Sequence, residues 1–359
     1  MSVRTARMAG LQQAVTTPIV APQRAVTRWL FTVCALIIGL TVFGGYVRLT
    51  RSGLSIVEWN VITGIVPPIG ETAWQAEFAK YQATPEFRQI NFDMTLADYQ
   101  RIFYVEYIHR LIARLAGLIV VVPLGIFLWR GLIPWRKAGV YLSIAALFGF
   151  QGFLGWYMVS SGLVDQPAVS HFRLTIHLLV ALTLLGLTLW TALNDRQPGA
   201  QPRSVWSGTA KLTVALLVVL VMQIAYGGLV AGLKAGHASD TWPYMFGYLV
   251  PPGLLTVIEP WWRNLLESVP TVHFVHRWFA FVVLVFAGLL YLQTRQQAIR
   301  RTILGVVALV LVQITLGVTV IWFHVPLVLA LLHQATALLL FSVVVWLLHQ
   351  LVYDTVAIE

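Results

Sequence analysis

The stretch Glu106-Tyr-Ile-His-Arg, together with the apolar segment 107–129 in which it lies, decides the fold class of this chain. A segment of this length is close to the roughly 20 residues that an α-helix needs to cross the hydrocarbon core of a membrane. Its histidine, His109, is costly in a membrane and therefore indicates a function. On either side of it along the chain, seven further segments have the same apolar character: 29–48, 138–160, 171–193, 212–233, 272–292, 302–323 and 326–352.

The composition leads to the same class. Of the 359 residues, 58% are hydrophobic and 11% are charged, whereas a soluble domain carries about a quarter of charged residues. The mean hydropathy is +0.78. We therefore predict an all-α integral membrane protein with eight transmembrane helices.

The charges predict the orientation of these helices. Both termini and the connections on their side of the membrane hold 13 of the 24 basic residues but only 3 of the 14 acidic residues, which accounts for the net charge of +10. Basic residues concentrate on the cytoplasmic side, so we expect both termini there. Residues 1–28 and 353–359 are interpreted as cytoplasmic tails. The basic character follows from this topology, and no nucleic-acid partner is expected.

Four matches in the same order indicate that the chain is a tandem duplication. The halves are 29–193 and 212–352, joined by a cytoplasmic linker, 194–211, and the first half carries a long outer loop, 49–106. The aligned pairs are Gly44 to Gly53 with Gly227 to Gly236, Glu106 to Arg110 with His273 to Arg277, Gln151 and Gly155 with Gln313 and Gly317, and His177 with His333. Because each half has four spans, both halves enter the membrane in the same direction. We therefore predict two four-helix bundles related by a pseudo-two-fold axis along the membrane normal.

Four histidines occupy corresponding places in the two halves: His109 and His177 in the first, His276 and His333 in the second. Each lies a few residues past the outer start of a span, which places it about 5–12 Å below the outer surface. Two facing imidazoles from two helices suit the iron of a haem. A zinc site would also want acidic or thiolate neighbours, and the chain has one cysteine, Cys34, inside the first span.

The halves differ at one position that matters for chemistry. Glu106 lies one helical turn before His109, whereas His273 stands at the equivalent place before His276. A carboxylate there is a candidate general base, or a group that stabilises a developing cation. The alternative is an interfacial ion pair with Arg110 or Arg48. The first half is therefore interpreted as a reactive site, and the other half as a site that holds electrons.

Arginines near the outer interface are candidate partners of haem propionates, although arginines that reach from an apolar segment to the interface are also ordinary there. The candidates are Arg48, Arg110 and Arg277. The first outer loop also contains a predicted amphipathic helix around 71–82.

Taken together, these motifs resemble the haem A synthase family over roughly residues 28–350. The resemblance rests on Gly44-Gly-Tyr-Val-Arg-Leu-Thr-Arg-Ser-Gly-Leu-Ser, Glu106-Tyr-Ile-His-Arg, Gln151-Gly-Phe-Leu-Gly-Trp-Tyr-Met-Val-Ser-Ser-Gly-Leu, Arg173 to His177, Gly227 to Gly236, Asp240-Thr-Trp-Pro-Tyr-Met, His273 to Arg277, and His333-Gln. Some members carry a cysteine pair in the first outer loop. This chain has none and is similar to the cysteine-free type of proteobacteria and mitochondria.

The resemblance implies an oxidoreductase that converts the C8 methyl group of haem O to the formyl group of haem A by two successive hydroxylations and loss of water. It implies a haem b cofactor held by His276 and His333, with haem O near His109 and His177 and with Glu106 important for turnover. The expected setting is the bacterial inner membrane, with the haem sites near the outer face.

Two other classes remain open from the residues alone. One is a bis-histidine cytochrome b that only transfers electrons, and the other is a haem transporter or chaperone. Expected partners are membrane lipid and haem O. Candidate partners are the haem O synthase (a protohaem farnesyltransferase), an unidentified electron carrier, and further copies of the chain.

Overall fold

A computed structural model describes residues 24–60 and 63–353 of the chain. This described part is helical, and eight of its helices are long and apolar enough to cross a membrane. The α-helices are α1 (Arg24–Leu49), α2 (Glu71–Gln82), α3 (Pro85–Gln89), α4 (Leu96–Trp129), α5 (Ala138–Ser160), α6 (His171–Arg196), α7 (Gly208–Gly232), α8 (Asn264–Glu267), α9 (Val269–Gln293), α10 (Gln297–Trp322) and α11 (Leu327–Val352).

The eight predicted spans are confirmed as α1, α4, α5, α6, α7, α9, α10 and α11. The predicted N-terminal tail falls largely on residues 1–23, and most of the C-terminal tail falls on 354–359; both ranges lie outside the described residues. The linker 194–211 is shorter than predicted because α6 continues to Arg196 and α7 begins at Gly208.

The largest difference from the predicted spans is at α4, which begins at Leu96 rather than at 107. Thr95 caps this start, and its side chain and that of Asp98 bond each other's backbone amides, which satisfies donors that the first helical turn leaves free. The predicted outer loop 49–106 therefore includes the first turns of α4, and the helix extends beyond the predicted span.

Each half forms a ring of four neighbouring helices. In the first, α1 contacts α4, α4 contacts α5, α5 contacts α6, and α6 contacts α1; in the second, α7, α9, α10 and α11 contact one another in the same order. The rings meet where α6 packs on α7 and α11, and where α1 packs on α11. This arrangement agrees with the predicted duplication, while the exact pseudo-two-fold axis stays a prediction.

Polar contacts join the two rings within the apolar core. Gln334 donates from its amide to the carbonyl of Thr41 at 2.9 Å. At the opposite end, His349 Nε2 lies 2.9 Å from Asn194 Oδ1. Because hydrogen bonds between helices hold membrane helices at a fixed register, these two contacts fix the halves relative to each other at both ends.

The chain leaves the first helix of each half through the same backbone turn. Arg51 and Lys234 are aligned in the duplication, and both have φ of 54°, in the left-handed region that few non-glycine residues adopt. The positive charges of both lie near Glu86 of α3 and oppose the effect of burial, which raises the pKa of the Glu86 carboxyl. The first outer loop therefore reaches the second half.

The first outer loop folds against the outer end of α4. The predicted helix around 71–82 is confirmed as α2. An aromatic cluster joins it to α4, with Trp74 and Phe103 ring centroids 5.0 Å apart and those of Tyr81 and Tyr99 5.0 Å apart. This packing accounts for the turns of α4 that precede the predicted span.

Candidate functional site

The four predicted histidines lie on α4, α6, α9 and α11, and each packs against a glycine of the neighbouring helix. A β-carbon added to these glycines would meet the imidazole rings at 3.1–3.6 Å. The pairs are Gly44 with His109 at 3.4 Å, Gly155 with His177 at 3.6 Å, Gly227 with His276 at 3.2 Å, and Gly317 with His333 at 3.1 Å. The glycines therefore make room for the rings between the helices.

In the second half the two histidines face each other. The ring centroids of His276 and His333 are 6.3 Å apart, with an angle of 78° between the ring planes. An iron atom bound by two imidazole nitrogens at about 2 Å each places the ring centroids roughly 6 Å apart. The two side chains therefore fit the ligand spacing of a single haem iron. In the first half, His109 and His177 are close enough to interact electrostatically.

Glutamines hold the backbone of three of these histidines. The amides of Gln151, Gln223 and Gln313 donate to the carbonyl oxygens of the histidines on the neighbouring helices. The bonds are Gln151 to His177 at 3.0 Å, Gln223 to His276 at 3.0 Å, and Gln313 to His333 at 2.9 Å. The side-chain oxygens of all three glutamines are buried without a partner in the described part of the chain. Such groups are free to accept a hydrogen bond when a ligand enters.

Glu106 is buried, with 3% of its surface exposed, and both of its carboxylate oxygens are in use. One accepts from the backbone amide and the hydroxyl of Ser55, at 2.9 and 2.7 Å, and from the amide of Ile56 at 3.0 Å. The other pairs with Arg110 at 2.6 Å. The ion pair that the sequence offered as an alternative therefore forms with Arg110, and Glu106 holds the start of the outer loop on α4.

Arg110 and Arg277 make the same contacts in their own halves. Arg110 donates to the carbonyls of Ile56 and Glu58, both at 3.1 Å. Arg277 donates to the equivalent carbonyls of Ser239 and Thr241, at 3.5 and 2.5 Å. Each guanidinium also lies over a tryptophan ring, that of Trp59 in the first half and that of Trp242 in the second. The repeat therefore extends to the bonds that tie each outer loop to its histidine-bearing helix.

The second half lacks a counterpart of the Glu106 carboxylate, which pairs with Arg110 in the first half. His273 replaces Glu106 and is 2% exposed, and its Nδ1 has no partner among the described residues. Arg277 is also buried, and its Nε and Nη1 have no acceptor there. A buried guanidinium with free donors is unfavourable unless an anion completes it. The arrangement therefore suits a carboxylate ligand beside His276.

The three arginines predicted as propionate partners differ in whether their side-chain donors are already bonded to the protein. Arg110 is engaged by Glu106 and by two carbonyls, whereas Arg277 keeps free donors. Arg48, at the outer end of α1, is partly buried, and its side chain makes no hydrogen bond or ion pair within the described residues. Arg277 and Arg48 therefore have donors available for an anionic ligand.

Two elements of the site were not predicted from the sequence. Ser55 supplies two of the bonds to Glu106 but is 51 residues away, so no helical spacing links them. Gln223 contacts His276 but has no repeat partner, because Leu40 stands at the aligned position in α1. The sequence feature that could have indicated Gln223 is its position, four residues before the Gly227-Gly228 pair that packs near His276.

The geometry can be compared with known proteins. The family model described as cytochrome oxidase assembly protein, COX15-CtaA, matches residues 27–345. This range contains all four histidines and both four-helix rings apart from the start of α1 and the end of α11.

Curated relatives resemble the chain over nearly its whole length. The haem A synthase of Nitrosospira multiformis is 40% identical over 338 residues, covering 92% of this chain and 94% of the relative. That of Brucella ovis is 41% identical over 355 residues, covering 96% and 98%. That of Wolbachia sp. subsp. Brugia malayi is 39% identical over 321 residues, covering 89% and 94%.

Proposed function

Since the chain belongs to the COX15-CtaA family of cytochrome oxidase assembly proteins, we propose that it is a haem A synthase, an oxidoreductase that converts the C8 methyl group of haem O to a formyl group. Haem A synthases about 40% identical to it over nearly the full length support this assignment. The observation that carries it is the inequality of two otherwise repeated histidine sites, because among the described residues only the first site has a buried carboxylate beside it, that of Glu106.

In this proposal the second half holds the resident cofactor. His276 and His333 are the iron ligands of a haem b, supported by the 6.3 Å between their rings. Arg277 binds a propionate through the donors that have no acceptor in the described part of the protein. The bound haem would supply one-electron transfer to or from the first half.

The first half receives the substrate. His109 and His177 bind the iron of haem O, and Arg48 is available for one of its propionates. Glu106 keeps a negative charge one turn outward from His109, held by Arg110 and Ser55. Because a fixed carboxylate needs no rearrangement during the reaction, this setting favours stabilising positive charge that develops near the methyl carbon. Acting as a general base would require one of its four donors to leave.

The proposed function also implies particular partners and a location for the protein. In this proposal the substrate is the product of a haem O synthase. Because conversion of a methyl to a formyl group removes electrons and adds an oxygen atom, the reaction also needs a further electron carrier and an oxygen source. The expected location is the inner membrane of a bacterium, where the sites lie near the outer face and haem A serves cytochrome oxidase.

Extraction of the bound haems from purified protein, followed by chromatography, tests this function. We expect haem b together with haem O and haem A from a host that makes haem O. Haem b alone would instead support an electron-transfer cytochrome or a haem transporter.

The same extraction tests the role of Glu106. In a Glu106→Gln variant we expect haem b to be kept and haem A formation to fall by about 10²-fold or more, the usual loss when an electrostatic contact to a transition state is removed. Glu58→Gln is the matched control, because the Glu58 carboxylate belongs to the same loop segment but is half exposed and pairs with Lys80. Formation of haem A by Glu106→Gln at the wild-type rate would exclude this role.

A further inference from the structure

We propose that Gln223 is a positioning residue that fixes His276 as a permanent iron ligand, and that its replacement by Leu40 in the first half makes His109 an exchangeable one. This inference rests on the proposed function, because it explains how one site keeps its haem while the repeated site lets its haem leave.

The contact of Gln223 with His276 differs from those of the other two glutamines. Its amide nitrogen lies 3.0 Å from the His276 carbonyl and 3.2 Å from the ring nitrogen Nδ1. Gln151 and Gln313 bond only the carbonyls of their histidines, and the Nδ1 atoms of His177 and His333 have no partner in the described chain. Gln223 therefore acts on the ring of its histidine as well as on the backbone.

A contact at Nδ1 leaves Nε2 of His276 free to bind iron. A metal-bound histidine usually donates its other ring N–H to a nearby acceptor, which orients the ring and makes it a stronger ligand. The Gln223 oxygen is buried without a partner among the described residues. Rotation of the side-chain amide by half a turn lets this oxygen accept from the Nδ1–H of an iron-bound His276, in exchange for the bond from the amide nitrogen to the His276 carbonyl. Gln223 thus has the group that the bound state requires.

The first half lacks this group. Leu40 occupies the aligned position, four residues before the Gly-Gly pair of α1, and a leucine side chain cannot hydrogen bond. The His109 ring turns instead toward the backbone, with its Nε2 3.3 Å from the Leu40 carbonyl oxygen. The partner that α1 offers to the His109 ring is therefore a backbone carbonyl rather than a side chain.

The packing against glycine differs in the same direction. A β-carbon would meet His276 and His333 at 3.2 and 3.1 Å, whereas it would lie 3.4 and 3.6 Å from His109 and His177. The rings of the second half are the more closely confined. Two independent features, a side-chain hydrogen bond and ring confinement, therefore make the second site rigid and the first site permissive.

Reciprocal substitutions test the inference. In Gln223→Leu we expect haem b to dissociate from the purified protein about 10–100 times faster, the usual cost of losing a hydrogen-bond partner of a metal ligand. The midpoint potential of the retained haem b should rise, because a ligand without a partner at Nδ1 donates less charge to iron. Gln313→Leu is the matched control: it removes a bond to the His333 carbonyl only, so the potential should stay near that of the wild type.

In Leu40→Gln we expect the opposite change at the first site. Haem A and haem O should remain bound after purification in larger amounts, and their release to apomyoglobin should slow at least several-fold, with haem b unaffected. This variant keeps the test decisive even if Gln223→Leu folds poorly.

The outcomes separate this inference from the proposed function. If the wild-type protein contains no haem O or haem A, the proposed function is wrong. If it contains both but the potential shifts equally in Gln223→Leu and Gln313→Leu, or if Leu40→Gln releases its haem at the wild-type rate, the roles of Gln223 and Leu40 are wrong.

Discussion

At the scale of single residues, a glycine on the neighbouring helix leaves the space that each histidine ring occupies. The size of this space predicts how strongly an added methyl group disturbs the haem of each half. In Gly227→Ala the new methyl group would lie 3.2 Å from the His276 ring, closer than ordinary contact. We expect about 1–3 kcal/mol of overpacking and a clear loss of haem b, measured as the ratio of haem to protein absorbance.

Two matched variants make this glycine test specific. Gly44→Ala should have a smaller effect on the haem of the first half, because its β-carbon would lie 3.4 Å from His109. Gly39→Ala, on the same helix α1, should have none, since no described atom lies within 4 Å of the added carbon. Equal losses of haem in all three variants would show that helix packing, rather than room for a ring, explains these glycines.

The residues of the site were predictable only in part. The four histidines and Glu106 follow from the sequence because a polar group in an apolar segment is conspicuous. The bonds from Ser55 to Glu106 do not follow, because they depend on how a long loop folds back onto α4. For the same reason, the sequence left open whether Glu106 pairs with Arg110 or Arg48, and the structure pairs it with Arg110 at 2.6 Å.

At the scale of helices, apolar length predicts where the membrane is crossed but not where a helix ends. The span predicted at 107–129 is part of a helix that begins at Leu96. Its outer turns carry Tyr99 and Phe103, which pack on Trp74 and Tyr81 of α2. Contacts with another element, rather than local hydrophobicity, therefore stabilise this extension, and no window of the α4 sequence alone contains that information.

The contact between α6 and α7 supports a prediction about how the halves are joined. A β-carbon on Gly232 would lie 2.5 Å from the Cα atom of His171. Because this neighbour is backbone, the helices must separate to admit it. We expect Gly232→Ala to lower the midpoint of thermal unfolding in detergent by several degrees, with a cost of about 1–3 kcal/mol.

Gly288→Ala is the control for that measurement. Gly288 lies in α9, also a membrane-spanning helix, and no atom of the described residues lies within 4 Å of an added β-carbon. Unchanged stability in Gly232→Ala would mean that α6 and α7 do not approach this closely. Loss of stability in both variants would point to the intrinsic effect of glycine rather than to the joint between the halves.

At the scale of the whole molecule, the two four-helix rings are similar, and they differ in a few side chains at aligned positions. Arg110 and Arg277 tie the outer loops to the histidine helices by equivalent bonds. Where Glu106 is replaced by His273, the second half lacks the carboxylate, and Arg277, the counterpart of Arg110, keeps donors that no described residue accepts. Under the proposed function, this exchange of Glu106 for His273 accounts for reaction in the first half and for retention of an anionic cofactor in the second.

The placement of both sites near the outer face depends on the orientation of the chain, which a labelling experiment can determine. The wild-type protein is a suitable background for labelling introduced thiols, because its one cysteine, Cys34, is buried, with 6% of its surface exposed. Phe92→Cys would place a thiol on the first outer loop, where the side chain is 70% exposed. Val205→Cys would place one between α6 and α7, where the side chain is 76% exposed.

With a membrane-impermeant maleimide on intact cells, we expect label on Phe92→Cys and none on the wild-type protein. Val205→Cys should react only after the membrane is opened, because the excess of basic residues keeps its side of the protein in the cytoplasm. Labelling of Val205→Cys but not of Phe92→Cys in intact cells would reverse the orientation. It would then place His109, His177, His276 and His333 near the cytoplasmic face, and the proposed location of the haem sites near the outer face would be wrong.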